Sequence, residues 1–195
     1  MKPTMRLGLI ILTLLTISAC GGLRFSQVAP EAKDFHPQRV AVLPADVGIY
    51  EESRGTVEQI FTGALTDKKY FKEIVDAGKV NSQIQVDDEL RKAVLDYLVK
   101  LKTINISDPT LSRKIGEVTK SEAFFVINVD FWNYTKEDGD KVGKVGLGIK
   151  MVESSTGRVM WKAGHQISES YWMVKPDLPD IAKELVKKMI EEMPH

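Results

Sequence analysis

A chain of 195 residues, 43% hydrophobic and 28% charged, has the length of one domain plus a targeting segment and enough apolar content for a core. Basic and acidic residues balance at 27 each, and removing residues 1–19 leaves 25 against 27, which gives no electrostatic pull toward nucleic acid or anionic lipid. The single cysteine excludes an internal disulfide, a Cys-rich zinc site and a redox pair.

The N-terminus opens with two basic residues, Lys2 and Arg6, then an eleven-residue uncharged, mostly apolar run from Leu7 to Ile17, then Ser18, Ala19 and Cys20. Basic segment, short apolar run and small residues are the parts of a secretory signal peptide. A spanning helix needs about 20 apolar residues, so the run is too short to remain as a transmembrane anchor. Ile17-Ser18-Ala19-Cys20 resembles the lipobox of bacterial lipoproteins. That resemblance implies diacylglyceryl transfer to the Cys20 thiol, cleavage before Cys20 and acylation of the new amine, so that residues 1–19 are a signal peptide and the mature protein meets a membrane through lipid. Gly21 follows in place of Asp, which by resemblance to the sorting signals of enteric bacteria implies the outer membrane, with the domain in the periplasm. Residues 20–37 then read as the lipidated cysteine and a tether, since they carry two prolines and no sustained period. The seventeen residues after the cysteine span up to about 55 Å when extended.

A single domain is expected over residues 38–195. Val40-Ala-Val-Leu-Pro44 is an apolar run ended by proline, as in a buried strand. Val57, Ile60, Phe61, Ala64 and Leu65 fall on one face of a helix, and Phe71–Val75 predicts a short strand. Val86, Leu90, Ala93, Val94, Tyr97, Leu98 and Leu101 form the clearest helical stripe, with Asp87-Asp88-Glu89 at its start, where negative charge complements the helix dipole. Asp108-Pro109 starts another helix, continued by Leu111, Ile115 and Val118.

From Ala123 the period changes to two. Phe125, Ile127, Val129 and Phe131 alternate with Val126, Asn128, Asp130 and Trp132; Val145, Leu147, Ile149 and Met151 alternate with Gly146, Gly148 and Lys150. Arg158 to Val174 continues as strand, bent at Gly164. The turns between these strands are short, so they are expected to pair as an antiparallel meander. A last helix starts at Asp177 and turns Ile181, Leu185, Val186 and Met189 to the core. The fold class is therefore α/β: a mixed sheet with an antiparallel C-terminal three-strand meander, packed against about four helices in a single domain.

Three segments together resemble a group of bacterial envelope lipoproteins. Val40–Pro44 is similar to their opening strand, Ile115–Ile127 to a helix running into a central strand, and Val152–Trp161, with its Ser-Ser-Thr-Gly turn, to their hairpin. The group includes the curli-secretion channel lipoprotein, the outer-membrane activators of penicillin-binding proteins, and lipoproteins of unassigned function that share the fold. The likeness covers most of residues 38–193, but no long amphipathic hairpin of the kind a secretion channel needs is present, and the 136–141 turn is short and charged.

Residues with chemistry are sparse. His36, His165 and His195 share no metal-ligand spacing, and neither a Gly-x-Ser-x-Gly elbow nor a phosphate-binding glycine loop occurs. No catalytic residue, metal ligand or cofactor site is expected. Trp132 and Tyr134 alternate away from Phe125, Ile127 and Val129, and Tyr171 and Trp172 close the last strand. On an open sheet face these four form a protein-binding patch; under helices they are core. The expected function is a non-enzymatic, lipid-anchored protein-binding or assembly component of the cell envelope. An oligomeric secretion or export component is one alternative. An envelope hydrolase or small-ligand carrier is another, for which the sequence names no converging polar site.

Overall fold

The computed structural model describes residues 24–195. Cys20 and the signal-peptide reading lie outside that range. Six strands form one mixed sheet in the order β1-β6-β5-β4-β2-β3, with helices on both faces.

The strands are β1 (Phe25–Val28), β2 (Arg39–Val42), β3 (Glu73–Val75), β4 (Ala123–Glu137), β5 (Asp140–Glu153) and β6 (Val159–Tyr171). The helices are α1 (Thr56–Lys68), α2 (Ala77–Val86), α3 (Asp88–Thr103), α4 (Pro109–Thr119) and α5 (Leu178–Glu191). The expected meander is present: β4, β5 and β6 pair antiparallel through short turns, while β2 lies parallel to both β3 and β4. Parallel pairing demands crossover connections, which α1 and then α2–α4 supply. Aspartates start the helices: the Asp76, Asp87 and Asp108 carboxylates accept from the backbone N–H groups of Lys79, Leu90 and Leu111 respectively.

One side of the sheet buries Phe61, Phe125, Ile127, Trp161, Leu185 and Met189 beneath α1 and α5. The other side buries Leu43, Leu90, Tyr97, Ile115 and Phe124 beneath α2, α3 and α4. Edge-to-face rings fill the strand-rich centre, with Phe61 at 5.0 Å from Phe125 on one side and Tyr97 at 5.2 Å from Phe124 on the other. Burial and the apolar walls push the Tyr97 hydroxyl up to about 12, although it meets Ser107 Oγ at 2.7 Å.

Three expectations need correction. The stretch read as tether contains β1, which pairs antiparallel with β6 from Phe25 opposite Gly164 to Val28 opposite Trp161. It continues into a 3-10 turn over Pro30–Asp34 whose Ala32 is buried. The folded body thus begins at β1, well before Gln38. The physical reason for the miss is that all four β1 residues are exposed, so no hydrophobic alternation marks the strand.

The second correction concerns the helical stripe. Val86 is 87% exposed and ends α2, a separate helix. Asp87, with φ −121° and ψ 100°, breaks the chain between α2 and α3 and caps the latter. α2 itself buries only Ala77 and Val80, too little to print a period on the sequence.

The third correction is Trp132. β4 and β5 shift register between Val129 and Phe131, leaving Asp130 as a bulge. An extra residue reverses the in–out alternation beyond it. Trp132 is therefore on the same side as Phe125, Ile127 and Val129, only 3% exposed, beside α5. Phe131 takes the other side, where its ring lies over Gly146: a Cβ there would stand 2.7 Å from Phe131 Cδ2. Gly143 admits α5 and the segment leading into it in the same way, with Ile181 Cδ1 3.2 Å and Pro176 Cγ 2.7 Å from the place of its absent Cβ.

Candidate functional site

Beyond Val126 the helices α2–α4 no longer cover the sheet, and its far half turns outward Asn128, Lys150, Lys162 and Gln166 with the glycines between them. A cleft of about 370 Å³ marks the boundary, lined by Leu98, Leu101, Lys102, Asp46, Asn128 and Lys150. Lys102 Nζ lies 2.6 Å from Asp46 Oδ2, and this hydrogen bond holds the Asp46 carboxyl below the usual carboxylate range against the opposing effect of burial. Burial, then the neighbouring Lys162, pulls the Lys150 ammonium below its ordinary value. A second groove of about 610 Å³ runs between α1 and α5, with Ile60, Ala64 and Ile190 on its walls and Lys68, Lys183 and Lys187 among its polar lining. Among the described residues no group of three or more His, Cys, Asp or Glu side chains could hold a metal ion.

The four aromatics, read as a patch on an open sheet face or as core under helices, are divided between the two. Trp132 is in the core. Tyr134, Tyr171 and Trp172 cluster where β6 ends: the rings of Tyr134 and Tyr171 meet edge to face at 5.9 Å. The Tyr134 hydroxyl donates to the Pro176 carbonyl at 2.8 Å, and Lys175 Nζ lies 4.5 Å from the Tyr134 ring centre. Burial, then Asp177 and Tyr171, raises the Tyr134 hydroxyl above its ordinary value. Trp172, Met173 and Val174 follow as a loop, each more than four-fifths exposed. This cluster is apolar at its tip and pinned at its base.

A second apolar surface was not anticipated. On α3, Leu95 and Val99 are exposed at 57% and 58%, one turn apart, on the side away from the buried Leu90, Ala93, Val94 and Tyr97. Ile104 and Ile106, past the helix end, are exposed as well. The signal was present in the sequence: Leu95 and Val99 are apolar residues off the periodic stripe, and an amphipathic helix with one buried face has no packing use for them.

His165 occupies the β6 side facing α5. Its Nδ1 accepts a hydrogen bond from the Arg24 N–H at 3.1 Å, at the point where the chain enters β1. Burial, then Lys188, lowers its pKa below the ordinary 6.5, which favours the neutral ring that this bond requires. His165 is thus a structural acceptor for the edge strand.

No protein-family profile matches the chain, and no curated protein matches it in sequence. Solved structures do match in architecture. The PelC dodecamer from Paraburkholderia phytofirmans is similar over 88% of this chain and 98% of its own, at 14% identity and a TM-score of 0.55. Lipoprotein GNA1162 from Neisseria meningitidis is similar over 80% of this chain and 100% of its own, at 15% identity and a TM-score of 0.52. The likeness is one of fold. It runs nearly the whole length of both neighbours. Among the described residues no helix is long and apolar enough to cross a membrane.

Proposed function

We propose that this chain is a lipid-anchored component of the bacterial cell envelope, attached through Cys20 to the outer membrane. It acts without catalysis, by protein–protein contact that includes other copies of itself. The observation that carries the contact reading is the pair Leu95 and Val99, exposed one turn apart on α3, with Ile104 and Ile106 also exposed past the helix end. Apolar neighbours on one helix face that a fold leaves outside mark a surface for a partner. The neighbours support both halves of the proposal, since one is a lipoprotein and the other a dodecamer. The lipobox-like Ile17–Cys20 segment supplies the attachment chemistry.

The test has two arms. Radioactive fatty acid fed to intact cells should follow the protein and be lost on Cys20→Ala; unlabelled protein rejects the anchor. Light scattering on gently detergent-extracted protein should give a mass of several copies, reduced to the monomer by Leu95→Asp with Val99→Asp. A monomer from the unaltered chain rejects self-assembly. Captured envelope proteins identified after in-cell crosslinking then distinguish a homo-oligomer from a hetero-complex.

A further inference from the structure

We infer that the Trp172-Met173-Val174 loop is a second membrane contact, dipping into the bilayer interface beside the acylated cysteine and fixing which end of the domain faces the lipid. The inference rests on the Cys20 anchor proposed above. Its occupant is the lipid surface, and four observations converge on that.

The first is direction. β1 runs antiparallel to β6, and Phe25 is opposite Gly164. The chain before Phe25 therefore leads toward the end at which β6 finishes, and the Arg24 bond to His165 continues that course. Five residue steps separate Cys20 from Phe25, a reach of up to about 17 Å. Eight steps separate Gly164 from Trp172, about 26 Å along the strand. One plane touches both points when the strands lean toward it. The chain thus enters the sheet at the end where the loop leaves it, which puts the proposed anchor within reach of the same plane.

The second is composition. Trp172, Met173 and Val174 are 87%, 84% and 82% exposed. Behind them are Tyr134 and Tyr171, with the Lys175 ammonium folded over the Tyr134 ring. An apolar tip backed by tyrosines and a lysine reproduces the order of side chains found at a membrane–water interface.

The third is charge. The adjoining 136–141 turn mixes Lys136 and Lys141 with Glu137, Asp138 and Asp140. No basic surplus recruits anionic headgroups, so the contact is apolar and should hold on neutral lipid. The fourth is size. Three side chains on a projecting loop fall far short of the roughly 800 Å² that each partner buries in a stable protein interface. A bilayer needs no matching partner surface.

The three tryptophans make the test selective, because Trp132 and Trp161 are 3% and 0% exposed and Trp172 alone is open to solvent. The full chain, extracted with its lipid and verified by intact mass, is reconstituted on phosphatidylcholine vesicles whose acyl chains carry bromine. Bromine should quench about a third of the tryptophan emission, the share of one residue in three. Trp172→Phe should abolish the quenching. Met173→Asp with Val174→Asp should cut it several-fold while the melting temperature stays put. An acylated protein whose emission bromine leaves untouched overturns the inference and spares the anchor. Unquenched but blue-shifted emission assigns the loop to a second copy, and also overturns it. A mass without acyl chains removes the anchor and the inference together.

Discussion

Trp132 and Trp172 are the same residue type given opposite work by local geometry. Trp132 fills the space between β4 and α5, so Trp132→Ala is expected to cost about 3–5 kcal/mol through lost transfer energy and an unfilled cavity. Trp172→Ala removes a side chain that touches little else, and its effect on stability should stay within roughly 0.5 kcal/mol. Thermal or urea unfolding of the two variants checks this, and equal losses would refute the burial contrast. His165 gives a pH-dependent prediction. Above the ordinary value of 6.5 the ring is neutral in both folded and unfolded chains, and contributes no pH slope. As pH falls through 6.5 the unfolded ring takes up its proton first, because burial holds the folded pKa lower. Stability should therefore fall on acidification from that point, before the carboxylates begin to titrate, and His165→Gln should flatten this part of the profile. The amide resonance of Arg24, whose N–H donates to Nδ1, should titrate with the same midpoint as the His165 ring.

At the scale of elements, β1 carries the clearest consequence. Val28 and Ala29 tie to β6 at Trp161 and Met160, and Ser26 Oγ accepts from the indole Nε1 of the buried Trp161 at 3.2 Å. A chain begun at Gln38 loses that acceptor and exposes the β6 edge to pairing with other molecules. It should melt lower and aggregate more readily than a chain begun at Arg24; identical melting curves would restore the tether reading. The bulge at Asp130 makes a second prediction. Deleting Asp130 restores strict alternation and drives Trp132 off the core side, so near-ultraviolet dichroism from packed aromatics should collapse. These elements also show what the sequence can and cannot reveal. α5, α3 and the three long strands were legible because each repeats its apolar residues over several turns or pairs. β1 and α2 were not, because one is wholly exposed and the other buries two residues. The bulge was invisible because Asp130 fits a polar slot of either phase, and only the glycines opposite reveal which ring covers them. The candidate surface was legible only in part, since Trp132 is core. Tyr134 and Tyr171 meet, with Trp172 next in the chain, since the meander brings the ends of β4 and β6 together, whereas Leu95 and Val99 lie off the buried period of α3 and carry no repeat of their own.

At the scale of the whole molecule, the two proposed contacts constrain each other. If lipid emerges beside the Trp172 loop, every copy in an assembly must present that end to one plane. Dihedral symmetry would turn half of the copies away from the membrane, whereas cyclic symmetry about the membrane normal keeps all anchors on one side. In a closed ring of more than two copies each contact is heterologous, so the α3 surface of one protomer must meet a different surface of its neighbour. The far half of the sheet, with Lys150, Lys162 and Gln166, is the broad strand-borne surface that helices leave uncovered. Crosslinks introduced by paired cysteines should therefore join position 99 of one copy to position 162 or 166 of the next, and ladder upward to the full ring on gels. The single native cysteine leaves such pairs unambiguous once Cys20 carries its lipid. Crosslinking of position 99 to position 99 alone, stopping at a dimer, would mean an isologous pair and rule out the ring.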